Sequence, residues 1–141
     1  MNIFYKGDSE FDGYWEQLWK SDSFQKPYYQ PVSIEYVCEY YSRCSFLDCS
    51  FLIADGDMPV LGVMVSVKVD GDLTELSAFG RPILYLENES AGFSVKSRAV
   101  KQMKTELSSI FTKNKIDSLI YLDYLCNGSL SPIGEHLLAN N

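Results

Sequence analysis

Apolar residues recur along this chain in two rhythms, and the switches between them mark out its elements. Ile3 to Lys6 reads as a short opening strand. From Phe11 to Lys20 the apolar positions are Phe11, Tyr14, Trp15, Leu18 and Trp19, the spacing of one helix face. Pro27 and Pro31 bracket a loop, Gln25 to Val32, that cannot be helical throughout, because proline restricts both itself and the residue before it. Ser33 suits the N-cap of a second helix, Ile34 to Ser42, with Ile34, Val37, Cys38 and Tyr41 on one side.

The rhythm then shortens to two. Three consecutive strands are predicted at Phe51–Ala54, Val60–Val69 and Leu73–Leu86, joined by Asp55-Gly56-Asp57 and Asp70-Gly71-Asp72. Each turn offers a glycine where a two-residue hairpin needs positive φ. In the middle strand Val63, Val65, Val67 and Val69 alternate with Gly62, Met64, Ser66 and Lys68, which predicts one buried and one open face. Phe79-Gly80-Arg81-Pro82 interrupts the third strand, since proline within a strand implies an edge, bulge or bend.

A long helix follows at Ser94–Asn114, with Ala99, Val100, Met103, Leu107, Ile110 and Phe111 as its buried stripe. The nearly all-apolar run Ser118–Asp123 predicts a strand central in the sheet, reached by a parallel crossover through that helix. The tail, Asn127 to Asn141, reads as loop plus a short helical turn.

Composition narrows the class. At 141 residues, 46% hydrophobic and 22% charged, the chain fits one ordinary globular domain. A net charge of -7 weighs against DNA and against anionic membrane surfaces. Lys96, Arg98, Lys101 and Lys104 read as a solvated helix face. Neither an export signal nor an apolar run of about 20 residues is present, so a cytoplasmic protein without an integral membrane span is expected. Cys38, Cys44, Cys49 and Cys126 are irregularly spaced and read as reduced, mostly buried thiols.

Candidate chemistry is sparse. The Asp-Gly-Asp turns lack the ligand ladder of a calcium loop, so no metal is expected. His136, the single histidine, stands near the chain end and reads as a surface residue, and no catalytic residue is assigned. The segment opening the long helix, Asn88 to Lys96, holds one glycine and follows Glu87, with Glu89 inside it. A pyrophosphate-binding turn needs clustered backbone N–H groups and no nearby carboxylates, so no cofactor is expected in this domain. Aromatic residues crowd the first third of the chain. Those on the predicted helices, such as Trp15, Trp19, Tyr36 and Tyr40, read as core packing, whereas Tyr28 and Tyr29 on the proline loop are better placed to line a groove.

The order β-α-α-β-β-β-α-β resembles the acyl-CoA N-acyltransferase (GNAT) fold: α+β, or three-layer α/β, with a central mixed sheet, an antiparallel meander and flanking helices. The chain further resembles the N-terminal half of the FemAB-like aminoacyl- or acyltransferases, which carry two GNAT-type domains in tandem. That resemblance covers about Phe24 to Tyr124. It rests on Phe24-Gln25 with the Pro-Tyr-Tyr loop, Phe51 to Ala54 entering its Asp-Gly turn, Leu61-Gly62-Val63, Ser77 to Ile83, the long helix, and Leu119 to Asp123. It implies a domain that holds the acceptor, an amine on a cell-envelope precursor or sugar nucleotide. A second GNAT-like domain of the same chain would handle the donor, acyl-CoA or aminoacyl-tRNA. On this reading 1–141 is a single domain from a longer protein, not catalytically complete alone. Lys26 and Arg81 are then phosphate contacts, as a point charge and a fork, and Tyr28 and Tyr29 border the same groove. The alternative is a non-catalytic module that docks a partner domain, with homodimers as one outcome.

Overall fold

The computed structural model describes residues 1–41, 44–123 and 129–139. Ser42, Tyr124, Cys126, the predicted start of the tail at Asn127, and Asn141 lie outside them. Strands are β1 (Asn2–Tyr5), β2 (Phe46–Asp48), β3 (Phe51–Asp55), β4 (Met58–Val63), β5 (Ser66–Asp70), β6 (Leu73–Ser77), β7 (Tyr85–Glu87) and β8 (Ser118–Leu119). The α-helices are α1 (Phe11–Ser21), α2 (Pro31–Tyr41), α3 (Phe93–Asn114) and α4 (Pro132–Ala139), with a 3-10 turn at Pro27–Tyr29. The architecture is mixed α+β with two sheets, ordered β1-β3-β4-β7 and β2-β5-β6-β8.

Three of the four strands in each sheet come from the same three long segments, 46–55, 58–70 and 73–87, with β1 and β8 added at the edges. Asp48 pairs with Ser66 and Phe51 with Val63, so the first hairpin's ladder breaks between them. There the Ser50 hydroxyl accepts the Val65 N–H (3.1 Å), and the Cys49 N–H donates to the Val65 carbonyl (2.8 Å). A side chain thus substitutes for a backbone partner and lets the sheet bend without an orphaned buried donor. The predicted single strand Val60–Val69 is therefore two strands in two sheets, and β2 goes unpredicted.

The half-open middle strand is also corrected, because every residue from Val60 to Val67 is buried. Helix α1 covers β4 on one side and α3 also packs against it. Gly62 permits the close approach of α1: an added Cβ would lie 2.7 Å from Leu18 Cδ2 and 3.0 Å from Trp15 Cζ3. The stripes of α1 and α3 supply the core through Phe11, Trp15 and Leu18, and through Ala99, Met103, Leu107, Ile110 and Phe111. Val100 is half-buried.

Gly56 (φ 61°) and Gly71 (φ 62°) take the left-handed conformation at the first position of each two-residue hairpin turn. Residues Ser118 and Leu119 run parallel to Glu75 and Leu76, giving the expected crossover. β8 borders its sheet among the described residues instead of lying centrally, and Leu122 is exposed. Beyond β8 the run keeps its parallel backbone pairing on one side, through Ile120 and Leu122 to Ile83, while the Tyr121 hydroxyl lies 3.2 Å from Ser131 Oγ, just before α4. An apolar run therefore did not require two paired neighbours. Helix α2 begins at Pro31, with proline in the first turn where it surrenders no hydrogen bond, so Ser33 lies inside the helix and is not its cap. His136 is half-buried, its Nε2 2.8 Å from Ser108 Oγ on α3, and so is not the surface residue its position implied.

Candidate functional site

The interruption in the third strand is a tight reversal. Ala78 and Arg81 bridge as an antiparallel pair, each N–H donating to the other's carbonyl, across Phe79 (φ 53°) and Gly80 (φ 79°). Two successive left-handed residues define a type I′ turn. Glycine accepts that backbone readily, but phenylalanine stores strain of roughly 1–3 kcal/mol. The surroundings hold it. The Phe79 N–H donates to Ser66 Oγ (2.8 Å), the Gly80 N–H donates to Ser77 Oγ (2.9 Å), and the Phe79 ring packs against Phe46 and Tyr41.

This turn carries Arg81 over the ring of Tyr28, the guanidinium carbon 4.5 Å from the centroid. Tyr28 projects from the 3-10 turn and is 58% exposed. Beside it Tyr29 is buried. Its phenol accepts the Leu84 N–H (2.9 Å) and donates to the Leu84 carbonyl, while Trp15 Nε1 donates to the Tyr29 carbonyl (2.8 Å). Burial pushes the Tyr29 phenol well up, so it serves as a neutral pin between the proline loop and the segment before β7.

Tyr28, Tyr29 and Arg81 together border a groove of about 330 Å³ whose other walls include Val37, Met64 and Leu84. A shallower continuation over α2 shares Tyr28, Val37 and Arg81. Three of the four sequence-predicted site residues thus meet at one place.

Lys26 does not join them. Its Nζ lies 2.8 and 3.0 Å from the two carboxylate oxygens of Asp22, and both residues are buried. Asp22 also accepts the N–H groups of Phe24 and Glu87, at 3.0 Å each. The lysine is committed to tying the loop after α1 onto β7, which corrects its expected role as an exposed phosphate contact. The i, i+4 spacing of Asp22 and Lys26 was the available signal. Sequence reasoning also missed Val37, Met64 and Leu84, since apolar wall residues carry no signature apart from core.

Elsewhere, Glu87 is paired with Lys96 in the first turn of α3 (2.6 Å), and Arg98 pairs with Asp55 (3.2 Å). The four basic residues on α3 are therefore not a uniform solvated face. Tyr36 and Tyr40 on α2 are 65% and 61% exposed and stack on one another, in contrast to the core packing expected of them. Among the described residues no helix is long and apolar enough to cross a membrane.

What these features define is an α+β protein with a small aromatic groove holding one arginine. No family model and no curated protein matches the chain. Among solved structures, a mutant of TTHA1254 from Thermus thermophilus is similar, with a TM-score of 0.55 at 16% identity, covering 100% of this chain and 88% of that one. At that identity the likeness concerns the fold alone.

Proposed function

We propose that this chain is a GNAT-like, acceptor-binding domain of a FemAB-like acyl or aminoacyl transferase, in which a second domain handles the donor. The observation that carries the reading is the groove that gathers Tyr28, Tyr29 and Arg81. The element order and the parallel pairing of β8 with β6 after the long helix also favour it. So does the entrance to α3, where the Glu87 carboxylate stands in a salt bridge with Lys96, close to where a GNAT cradle would receive pyrophosphate. Lys26 drops out of the binding set, leaving Tyr28, Tyr29 and Arg81.

Calorimetric titration with acetyl-coenzyme A tests the division of labour. The expected result is no saturable heat, whereas micromolar binding would contradict it and favour a self-sufficient acetyltransferase. A second reading, a docking module, draws on the exposed line Val32, Tyr36 and Tyr40 at helical spacing on α2. Sedimentation showing a strict monomer at high concentration counts against self-association through that face.

A further inference from the structure

Of the cations that sequence reasoning brought to this groove, only one is there. Lys26 is bound to Asp22, and among the described residues lining the groove and its continuation Arg81 is the single charged side chain, with no carboxylate beside it. The guanidinium carbon lies 4.5 Å from the Tyr28 ring centroid, which holds the group at the groove, and a guanidinium offers a planar fork of N–H donors. Among the described residues no carboxylate lies within ion-pair distance of it. The tight turn fixes its backbone through the paired Ala78 and Arg81 hydrogen bonds, so little backbone ordering remains to be done when a ligand binds. The rest of the wall is mainly aromatic or aliphatic.

Resting on the acceptor-site reading, we propose that the groove grips its amine-bearing acceptor by a single carboxylate next to a flat apolar body, and not by a sugar-nucleotide pyrophosphate. One planar guanidinium edge matches one carboxylate as a bidentate pair. A pyrophosphate presents at least two charges to a protein of net charge -7 that supplies one cation here, which disfavours the polyanion. The apolar body lies along Val37, Met64 and Leu84 with an edge against Tyr28. About 330 Å³ falls at the small end of ligand pockets and suits a single ring with a short chain.

The test is amide chemical-shift titration of the whole chain with 3-phenylpropionate, with its uncharged amide, and with UDP-N-acetylglucosamine. Shifts confined to Tyr28, Ala78–Arg81 and Leu84 are expected with 3-phenylpropionate, with affinity weakened about tenfold or more for the amide and for Arg81→Gln. Arg81→Lys, which keeps the charge but loses the fork, should bind nearly as poorly as Arg81→Gln. Equal binding of acid and amide at the groove would overturn the carboxylate assignment while leaving an acceptor groove in place. Tighter binding of UDP-N-acetylglucosamine at the same residues would overturn it in favour of the polyanion. Absence of shifts at the groove with all three compounds would overturn both this assignment and the acceptor-site reading. Thermal melts of each variant separate lost binding from lost folding.

Discussion

Replacing Asp22 with alanine removes the hub of the buried tie between the loop after α1 and β7. Its carboxylate receives Lys26 Nζ at 2.8 and 3.0 Å and the N–H groups of Phe24 and Glu87 at 3.0 Å each. The side chains of Lys26 and Asp22 are only 10% and 4% exposed, so water replaces little of what is lost. Asp22→Ala therefore strands a buried ammonium together with two backbone donors, a cost of roughly 3–5 kcal/mol. For a domain of this size that lowers Tm by roughly 10–20 °C. Lys26→Met leaves a carboxylate still held by two N–H groups and fills the space with an unbranched apolar chain, so about 1–3 kcal/mol is expected. Combined in Asp22→Ala/Lys26→Met, the two changes should cost less than their sum, because no charge is then left alone. Urea denaturation followed by circular dichroism measures all three, and 3-phenylpropionate titration runs beside it. Lys26→Met should bind like the parent protein. Full stability with lost binding in Lys26→Met, or an Asp22→Ala cost no larger than that of Lys26→Met, would refute the structural role of this pair.

Other expectations concern the frame of the groove. Tyr29→Phe removes the phenol that accepts the Leu84 N–H and donates to its carbonyl, and it should cost about 1–3 kcal/mol in urea denaturation for the buried groups left unpaired. Gly80→Ala meets nothing closer than Phe46 at 4.0 Å, so its cost should be backbone strain alone, about 1–2 kcal/mol, with groove binding kept when measured at low temperature. Burial, with Asp48 adding to it, pushes the Cys38 thiol up to about 11, while Cys44 is exposed. At pH 8 the Cys38 thiolate is scarce, so iodoacetamide followed by peptide mass mapping should modify Cys44 well before Cys38.

What the sequence disclosed depended on whether the cause was local. The stripes on α1 and α3, the glycine turns at Gly56 and Gly71, and the break at Phe79–Pro82 all follow from spacing or backbone preference within a few residues. The division into two sheets did not, because Ser50 looks like any polar strand residue until its hydroxyl is found replacing a ladder partner 15 residues away. The same limit applies at the site. Proline placed Tyr28 and Tyr29 on a loop, and the kink drew attention to Arg81, but their meeting depends on Tyr29 reaching Leu84, 55 residues along the chain. Lys26 looked free because its type, and not its neighbour four residues earlier, guided the assignment. Tyr36 and Tyr40 looked buried because helical spacing alone does not say which face meets the core.

Whether a ligand sits between the proline loop and the Phe79–Gly80 turn, as proposed, is decided by one experiment. Amide shifts of the labelled chain are mapped while 3-phenylpropionate and acetyl-coenzyme A compete for it. Perturbations at Tyr28, Ala78–Arg81 and Leu84 from the carboxylate, unaffected by the coenzyme, are expected. Saturable perturbations from the coenzyme at Gly92–Lys96, with the groove silent to both compounds, would contradict that placement.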